Sequence, residues 1–421
     1  MRALSAAGVA AAFIAASAFA ATPSKDVPTF SKDVAPILYQ RCVNCHRPGE
    51  AGPMPLRTYK EVRPWAGAIK EAVASRTMPP WMADPAVNHF SNDRRLTPEQ
   101  VATIVQWASN GAPEGKPEEL PKQPNFTEGW VIGKPDVVFD IGKDFPIPAT
   151  GVVQYQYFTI DPGFTEDTWI QAAEVRPSQR SQIHHILVFV QEGKQRVTRG
   201  GEMFSDMLIG YAPGVPSITW DNDTAFLVKK GSKFLLQVHY TTNGKEAVDR
   251  SKVGFRIRKD KPAYRAFSGS ALQFRLNIPP NEPNYEAKAT YEFREDITMT
   301  DLTPHMHLRG KAFKYVLTYP DGRSEELLNV PHYDFNWQLS YILAEPRHIP
   351  AGSKLDVTAW YDNSVNNKYN PNPNETVRWG DQTFNEMMIG FFNYKIPSDR
   401  PELPPAAPPA GAKPTTPSES H

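Results

Sequence analysis

The sequence predicts a multidomain fold, in which an all-α domain is followed by two all-β sandwich domains. Three observations lead to this prediction: apolar residues at helical spacing before residue 113, short β-branched and aromatic runs after residue 129, and a polar, proline-rich stretch between them. The 421 residues, at roughly 150 residues per domain, fit two or three domains. We expect the segments to be a signal peptide (1–20), a helical domain (22–112), a linker (113–129), two sandwiches (130–280 and 281–396) and a disordered, proline-rich tail (397–421).

The first twenty residues have the features of a cleaved signal peptide. Arg2 precedes an alanine-rich apolar run that ends in Ala18-Phe19-Ala20, an A-x-A cleavage signature. An uncleaved anchor helix is the alternative, but the run is short for a membrane span. No other long apolar stretch follows. We therefore expect a soluble mature chain with no membrane span, located in the bacterial periplasm or secreted.

Charge and cysteine content narrow the function further. The chain has 46 basic and 46 acidic side chains and no basic run, which argues against a nucleic-acid partner. Its only two cysteines, Cys42 and Cys45, lie in one short segment, although an exported chain of this size can use many disulfides. We therefore expect the two thiols to serve chemistry rather than cross-linking.

The region 22–112 has the apolar spacing of three helices. The first begins near Ser31, and the second extends from about Tyr59 to Ser75. The third has clear start signals, because Thr97 can cap its N-terminus, Pro98 occupies the first helical position and a glutamine completes a capping box. These signals predict an α-helical domain.

Cys42-Val43-Asn44-Cys45-His46 forms a C-x-x-C-H motif at the end of the first helix. Two thiols at this spacing can add to the vinyl groups of a porphyrin, and the adjacent imidazole can ligate the iron. A thioredoxin-like redox pair would need a βαβ setting, and a zinc site would need further thiols. The motif thus predicts a haem c attached through Cys42 and Cys45, with His46 as an axial ligand.

With this motif after its first helix and Trp107 in its last, the segment of about 90 residues resembles class I cytochrome c. The resemblance implies a methionine thioether on the far face of the haem. We assign Met78, which is followed by two prolines that would hold its loop rigid. Met54 and Met82 are alternatives, and His89 would give a haem with two histidine ligands.

From Trp130 to about Ile396 the pattern is that of short strands. Apolar runs such as 186–190, 234–240 and 355–360 are separated by glycine, proline, asparagine and aspartate. This region is longer than one ordinary sandwich, so we expect two, divided near Pro279–Pro283.

Five histidines of the β region occur in three settings that favour a metal site. His305 and His307 are two residues apart, so in a strand both imidazoles face the same side. His184 and His185 are adjacent and would face opposite sides unless a bulge or a strand end lies there. His239 ends a neighbouring apolar run and could supply a third ligand.

The order of these motifs resembles the copper type II, ascorbate-dependent monooxygenases, the family of peptidylglycine alpha-hydroxylating monooxygenase and dopamine beta-monooxygenase. The matching stretches are His184-His185, Val238–Asn243, His305–Leu308, Glu386-Met387 and a turn at Tyr211–Gly214. The resemblance implies two jelly-roll-like sandwiches that each hold one copper ion. The disulfides of the animal enzymes have no counterpart, because this chain has no spare cysteine.

The resemblance also implies the ligands of the two copper ions. The first copper site would consist of His184, His185 and His239. The second, catalytic site would consist of His305, His307 and Met387, with Met388 as a possible replacement for Met387. A thioether favours Cu(I), whereas three imidazoles suit an electron-transfer copper. Zinc on the three histidines is a further alternative.

These features predict an exported dicopper monooxygenase that hydroxylates an unidentified small molecule or peptide with O2. The haem would pass electrons from a periplasmic donor to the coppers. The main alternative is a non-enzymatic electron-transfer or copper-binding protein with the same ligands. A third possibility is a haem protein fused to a carbohydrate- or partner-binding sandwich, which would hold no copper.

Overall fold

A computed structural model describes residues 27–48, 50, 52–125, 129–192, 207–212, 215 and 217–401. The predicted signal peptide (1–20) and the tail beyond residue 401 lie outside the described residues, as does the end of the predicted turn at Tyr211–Gly214. No helix in these ranges is long and apolar enough to cross a membrane.

All the described helices lie between residues 30 and 119. Thr97 caps the longest one as predicted: its side chain accepts from the peptide N–H of Gln100, and the Gln100 side chain accepts in return. Pro64 lies where the predicted second helix divides into α2 and α3, with a 3₁₀ turn between them. The helices are α1 (Ala35–Arg41), α2 (Tyr59–Val62), α3 (Ala66–Ala74) and α4 (Pro98–Ser109), with a π-helical turn at Phe30–Val34 and 3₁₀ turns at Arg63–Trp65 and Pro117–Glu119.

The strands occupy the chain from residue 137 to residue 397. The three predicted apolar runs 186–190, 234–240 and 355–360 lie in strands, which confirms them. In order, the strands are β1 (Val137–Asp140), β2 (Phe145–Ile147), β3 (Gln156–Ile160), β4 (Thr168–Arg176), β5 (Ile183–Gln191), β6 (Met207–Tyr211), β7 (Ser217–Thr219), β8 (Thr224–Val228), β9 (Lys233–Tyr240), β10 (Ala247–Asp249), β11 (Lys252–Arg258), β12 (Tyr264–Leu272), β13 (Asn277–Ile278), β14 (Tyr285–Glu292), β15 (Ile297–His305), β16 (Gly310–Thr318), β17 (Ser324–Val330), β18 (Tyr341–Ile349), β19 (Lys354–Tyr361), β20 (Val377–Arg378) and β21 (Ile389–Pro397).

One long sheet runs through the β region. It has nine strands, in the order β1-β11-β4-β8-β12-β21-β15-β18, with β7 paired to β4. Two four-stranded sheets, β3-β9-β5-β6 and β14-β19-β16-β17, cover its two halves. Each of these packings encloses an apolar core, because the strands alternate buried aliphatic and aromatic residues with outward-facing ones.

The two sandwiches also contact each other through their outer faces. On β5, Val188 faces its own core, whereas Phe189 faces outward and packs against Ile389 and Phe391 of β21. Met387, just before β21, belongs to the same apolar cluster. The outer face of β5 and β9 therefore lies against the strands β15 and β21, and the histidines lie along this contact.

The fold class predicted from the sequence is wrong. The described chain is predominantly β, its longest helix has 12 residues, and it contains no all-α cytochrome c domain. Residues 75–97 have no helix, since prolines interrupt this segment, and part of it packs on the β region instead. There, Phe90 bridges to Leu343, and the peptide N–H of Asp84 donates to the carbonyl of Asn329.

The continuous nine-stranded sheet also differs from the two separate sandwich domains of the prediction. β12 lies before the expected division near residue 280, yet its full length pairs with β21 from the end of the chain. The strands of the two halves were recognisable locally, but this long-range pairing was not. The segment boundaries given above remain predictions.

Candidate metal centre

A β-bulge in β5 brings three histidines together. The pairing of β5 with β9 shifts register between Ile183 and His185, so the extra residue, His184, is not held to the opposite face. His185 is the direct partner of His239 across the two strands. Ring nitrogens of His184, His185 and His239 all lie within 4.8 Å of one another. The bulge that a shared metal would require is present.

Burial keeps these three imidazoles neutral. It lowers the pKa of His184 to about 3 and that of His239 to about 4, and it lowers the pKa of His185 well below its ordinary value; the neighbouring imidazoles add to each effect. His185 Nε2 and His239 Nδ1 are buried without a hydrogen-bond partner. Because buried polar atoms are normally paired, two such nitrogens in a neutral cluster fit a metal ion.

His305 and His307 form a second cluster where β15 ends, with ring centroids 5.3 Å apart. His305 Nδ1 donates to Gln338 Oε1 at 2.6 Å, and His307 Nδ1 lies 3.3 Å from the carbonyl oxygen of Asn385. Each contact occupies Nδ1 and orients the ring, so that Nε2 is the nitrogen left to ligate a metal. His307 Nε2 is buried and has no partner, as expected for a ligand atom.

Of the two candidate methionines, only Met387 faces this region. Met388 is fully buried in the core between the long sheet and β14-β19-β16-β17. Met387 packs on the opposite side of the chain and lines the same cavity as His305. Its neighbour Glu386 is also buried and accepts a hydrogen bond from the peptide N–H of His307 at 2.8 Å. This bond holds the segment of Met387 next to the segment of His307.

One cavity of about 460 Å³ reaches both clusters, because His185 of the first and His305 of the second line it, together with Met387. The ring of Phe335 lies between the clusters. It stacks on His184 with centroids 4.5 Å apart and lies 6.0 Å from His307. Sequence reasoning missed Phe335 and Gln338 because they belong to an irregular segment without periodicity, and neither residue type signals a metal site by itself.

In the C-x-x-C-H segment, one nitrogen of the His46 ring is hydrogen-bonded to another described residue and the other is not. His46 Nδ1 donates to the carbonyl of Met54 at 3.1 Å, which leaves Nε2 as the nitrogen available to iron. Gly52 packs so closely on this ring that an added Cβ would lie 2.6 Å from Nδ1. Cys42 and Cys45 are free thiols, and burial raises the pKa of Cys42 to about 12. The residues present fit covalent haem attachment on this side.

The four candidates for the second iron ligand lie in different surroundings. Met54 provides the carbonyl bound by His46, and Met82 packs against the β core. His89 is exposed, and its carbonyl accepts from the peptide N–H of Ala344. Met78 lines a small cavity of about 50 Å³ beside α3 and α4. Met78 and Met54 both lie among the helices, since Met54 also packs on the helical core, whereas Met82 and His89 lie against the β region.

Comparison with known proteins gives no family. No protein family matches the chain, and no curated protein matches it. Similar solved structures include the major capsid protein P2 from Bacteriophage PM2 (10% identity, 60% of this chain, 96% of that chain, TM-score 0.26), PNGF-II (9%, 61%, 65%, 0.28) and the infectious bursal disease virus VP2 subviral particle (10%, 63%, 73%, 0.19). At these TM-scores the likenesses support no argument about this chain.

The predicted family assignment is therefore wrong. The described residues contain no all-α cytochrome c domain, and no family match supports membership of the copper type II monooxygenases. The short motifs were too few to define a family. Each comprises only two to six residues, and the long stretches between them show no resemblance to that family. The site residues must be judged on their own geometry.

Proposed function

We propose that this chain is an exported redox enzyme that holds two copper ions and a haem and hydroxylates a substrate with O2. The observation that carries the proposal is that two clusters of neutral histidines meet one cavity through His185 and His305. In these clusters His185, His239 and His307 each have a buried ring nitrogen without a hydrogen-bond partner among the described residues. The signal-like N-terminus supports a periplasmic or secreted location.

The ligand types favour copper over zinc at the second cluster. Imidazole suits copper and zinc alike, but a thioether selects the softer Cu(I). Met387 is the thioether on the cavity side of the chain, beside the segment that holds His307. When bound, copper would supply one-electron redox chemistry and dioxygen activation in this cavity. The overall reaction would consume a substrate C–H bond, O2, two electrons and two protons, and give a C–OH bond and water.

The protein's own residues would prepare this chemistry. Gln338 and the Asn385 carbonyl orient the two imidazoles of the second cluster through their Nδ1 atoms. Phe335 lies between the clusters and would exclude water from the space that its ring occupies. Ile389 and Phe391 give the cavity an apolar wall, which suits an organic substrate.

A haem at Cys42, Cys45 and His46 would supply a further one-electron centre. Its attachment segment is held against the residues that lead into the three-histidine cluster, because Glu50 pairs with Arg180, four residues before His184. This contact supports an arrangement in which electrons from a periplasmic donor enter the chain at its N-terminal region. The substrate and the donor are unidentified.

Elemental analysis of the mature chain, produced with haem maturation, tests the proposal. We expect about two coppers per haem iron, and about one after replacement of both His305 and His307 by alanine. Replacement of the exposed His332 and His348 is the matched control and should leave two coppers. Zinc alone, or no metal beyond iron, would overturn the proposal. Copper at both sites without O2 uptake for any substrate would favour the alternative, a non-enzymatic electron-transfer or copper-binding protein.

A further inference from the structure

The floor of the 460 Å³ cavity is built by two neighbouring strands. On β15, Asp301, Thr303 and His305 are alternate residues and all line the cavity. On β21, their partners across the pair are Asn393, Phe391 and Ile389, which also line it. The metal-ligand candidates His305 and Met387 therefore lie at one end of this floor, and Asp301 with Asn393 lies further along it.

Asp301 is a buried carboxylate held in place by neutral groups. It is 8% exposed, Asn393 Nδ2 donates to its Oδ1 at 2.8 Å, and Thr300 Oγ1 donates to its Oδ2 at 2.9 Å. Ser268 Oγ, 2.6 Å from Asn393 Oδ1, fixes the orientation of that amide. Within the described ranges, no cationic side chain lies within ion-pair distance of Asp301. A carboxylate can accept about four hydrogen bonds, so this one retains acceptor capacity.

The charge of the cavity suits a cation. Among the described lining residues, three are carboxylates, Asp221, Asp301 and Asp381, and one is a cation, Lys395. Lys395 is already paired, since its Nζ lies 3.2 Å from Asp223 and 3.8 Å from Asp221. Burying a carboxylate without a counter-charge is costly, and a bound ammonium group would remove that cost. Apart from these groups the walls are largely apolar.

We propose that Asp301 binds the cationic end of an elongated, apolar amine, whose other end lies at His305 and Met387. This inference rests on the proposed function and names the substrate class of the same cavity. His305 lies four positions after Asp301 in the extended strand, which corresponds to about 13 Å between their Cα atoms. The reacting carbon is thus far from the nitrogen, as in a long alkylamine, and a short amine cannot reach both ends.

Calorimetric titration of the metal-free full chain with n-decylamine tests the proposal, because without metal the amine cannot bind as a copper ligand. We expect n-decylamine to bind more tightly than n-decanol, and n-propylamine more weakly than either. Asp301→Asn should weaken n-decylamine binding by about ten- to hundredfold, as for loss of a charge-assisted hydrogen bond. The same variant should change n-decanol binding by less than about twofold, which also shows that it is folded.

Asp221→Asn is the matched control, because Asp221 lines the same cavity but is exposed and paired with Lys395. It should bind n-decylamine like the unmodified chain. Equal affinities of the unmodified chain for n-decylamine and n-decanol, or undiminished amine binding by Asp301→Asn, would overturn the inference. Copper uptake, measured after the same preparations are incubated with copper, separates the two proposals. An amine site that depends on Asp301 in a chain that takes up no copper would refute only the proposed function.

Discussion

The carboxylate of Glu50 lies 2.9 Å from the guanidinium of Arg180, joining the C-x-x-C-H segment to the residues that lead into the bulge of β5. Both side chains are about one fifth exposed, at 19% and 20%. The other oxygen of Glu50 lies 3.1 Å from Arg47, so the carboxylate bridges two cations. Partial burial and this network make the contact stronger than an isolated surface pair.

We expect the Glu50–Arg180 pair to contribute about 1 kcal/mol of coupling free energy. A double-mutant cycle with Glu50→Gln and Arg180→Met, followed by urea unfolding, measures it. The pair of Asp321 and Arg323 is the control: its side chains are 57% and 71% exposed, so its coupling should be near zero. Equal coupling in both cycles would show that the Glu50 contact is only a surface ion pair.

Met387 and Met388 provide a matched test of the second metal site. Met387→Leu removes the thioether on the cavity side, so we expect the Cu(I) affinity to fall by more than about tenfold. Met388→Leu changes only the packing of a buried core and should cost less than about 1.5 kcal/mol of unfolding free energy without changing that affinity. Competition with a Cu(I) chelator and urea unfolding measure the two quantities. The reverse pattern of affinities would assign the ligand to Met388.

Gln338 tests the importance of imidazole orientation. Gln338→Leu removes the acceptor of the His305 Nδ1 proton while keeping much of the side-chain volume. We expect copper affinity at the second cluster to fall about 10- to 100-fold, as for other groups that orient a metal ligand. Affinity at the three-histidine cluster serves as the internal control and should not change. An unchanged affinity at the second cluster would mean that His305 is held in place by packing alone.

Acid should destabilise the metal-free chain through its histidines. Burial lowers the pKa of His239 to about 4 in the folded chain, so between pH 4 and 6.5 the unfolded chain binds more protons. This contribution to stability is complete above pH 6.5 and is lost as the pH falls to 4. Burial raises the pKa of Asp301 to about 6, which acts in the opposite direction, so a comparison of variants is needed rather than one profile.

His239→Asn isolates that contribution. The slope of unfolding free energy against pH between 4 and 6.5 should become shallower by up to about 1.36 kcal/mol per pH unit, the value for one proton. Urea unfolding of both metal-free chains at several pH values measures the two slopes. Identical slopes would mean that His239 titrates normally in the folded chain.

The local elements were largely predictable from sequence. Thr97 and Pro98 mark the start of α4 through interactions within one turn, and short apolar runs identified β5 and β9. The long sheet was not predictable, because the pairing of β12 with β21 joins residues more than one hundred positions apart and leaves no periodic signal. The packing of Phe90 on the β region was hidden for the same reason.

The candidate site was predictable only in part. Residue type and order singled out the histidines, and the adjacency of His184 and His185 indicated that a bulge would be needed. The groups around them were not visible, since Phe335, Gln338 and Asp301 are chemically ordinary and act through position. Phe335 reaches His184 from a segment about 150 residues away, and only the folded chain reveals that contact.

The nine-stranded sheet has a mechanical consequence for the cavity. The three-histidine cluster is attached to this sheet through the core beneath β5 and β9, whereas the floor of the cavity is part of the sheet itself, in β15 and β21. Moving the two halves of the long sheet apart as rigid bodies would break main-chain hydrogen bonds where β12 joins them. The backbone of the long sheet therefore resists a hinge motion between its two halves, whereas the spacing between the two histidine clusters also depends on the side-chain packing beneath β5 and β9.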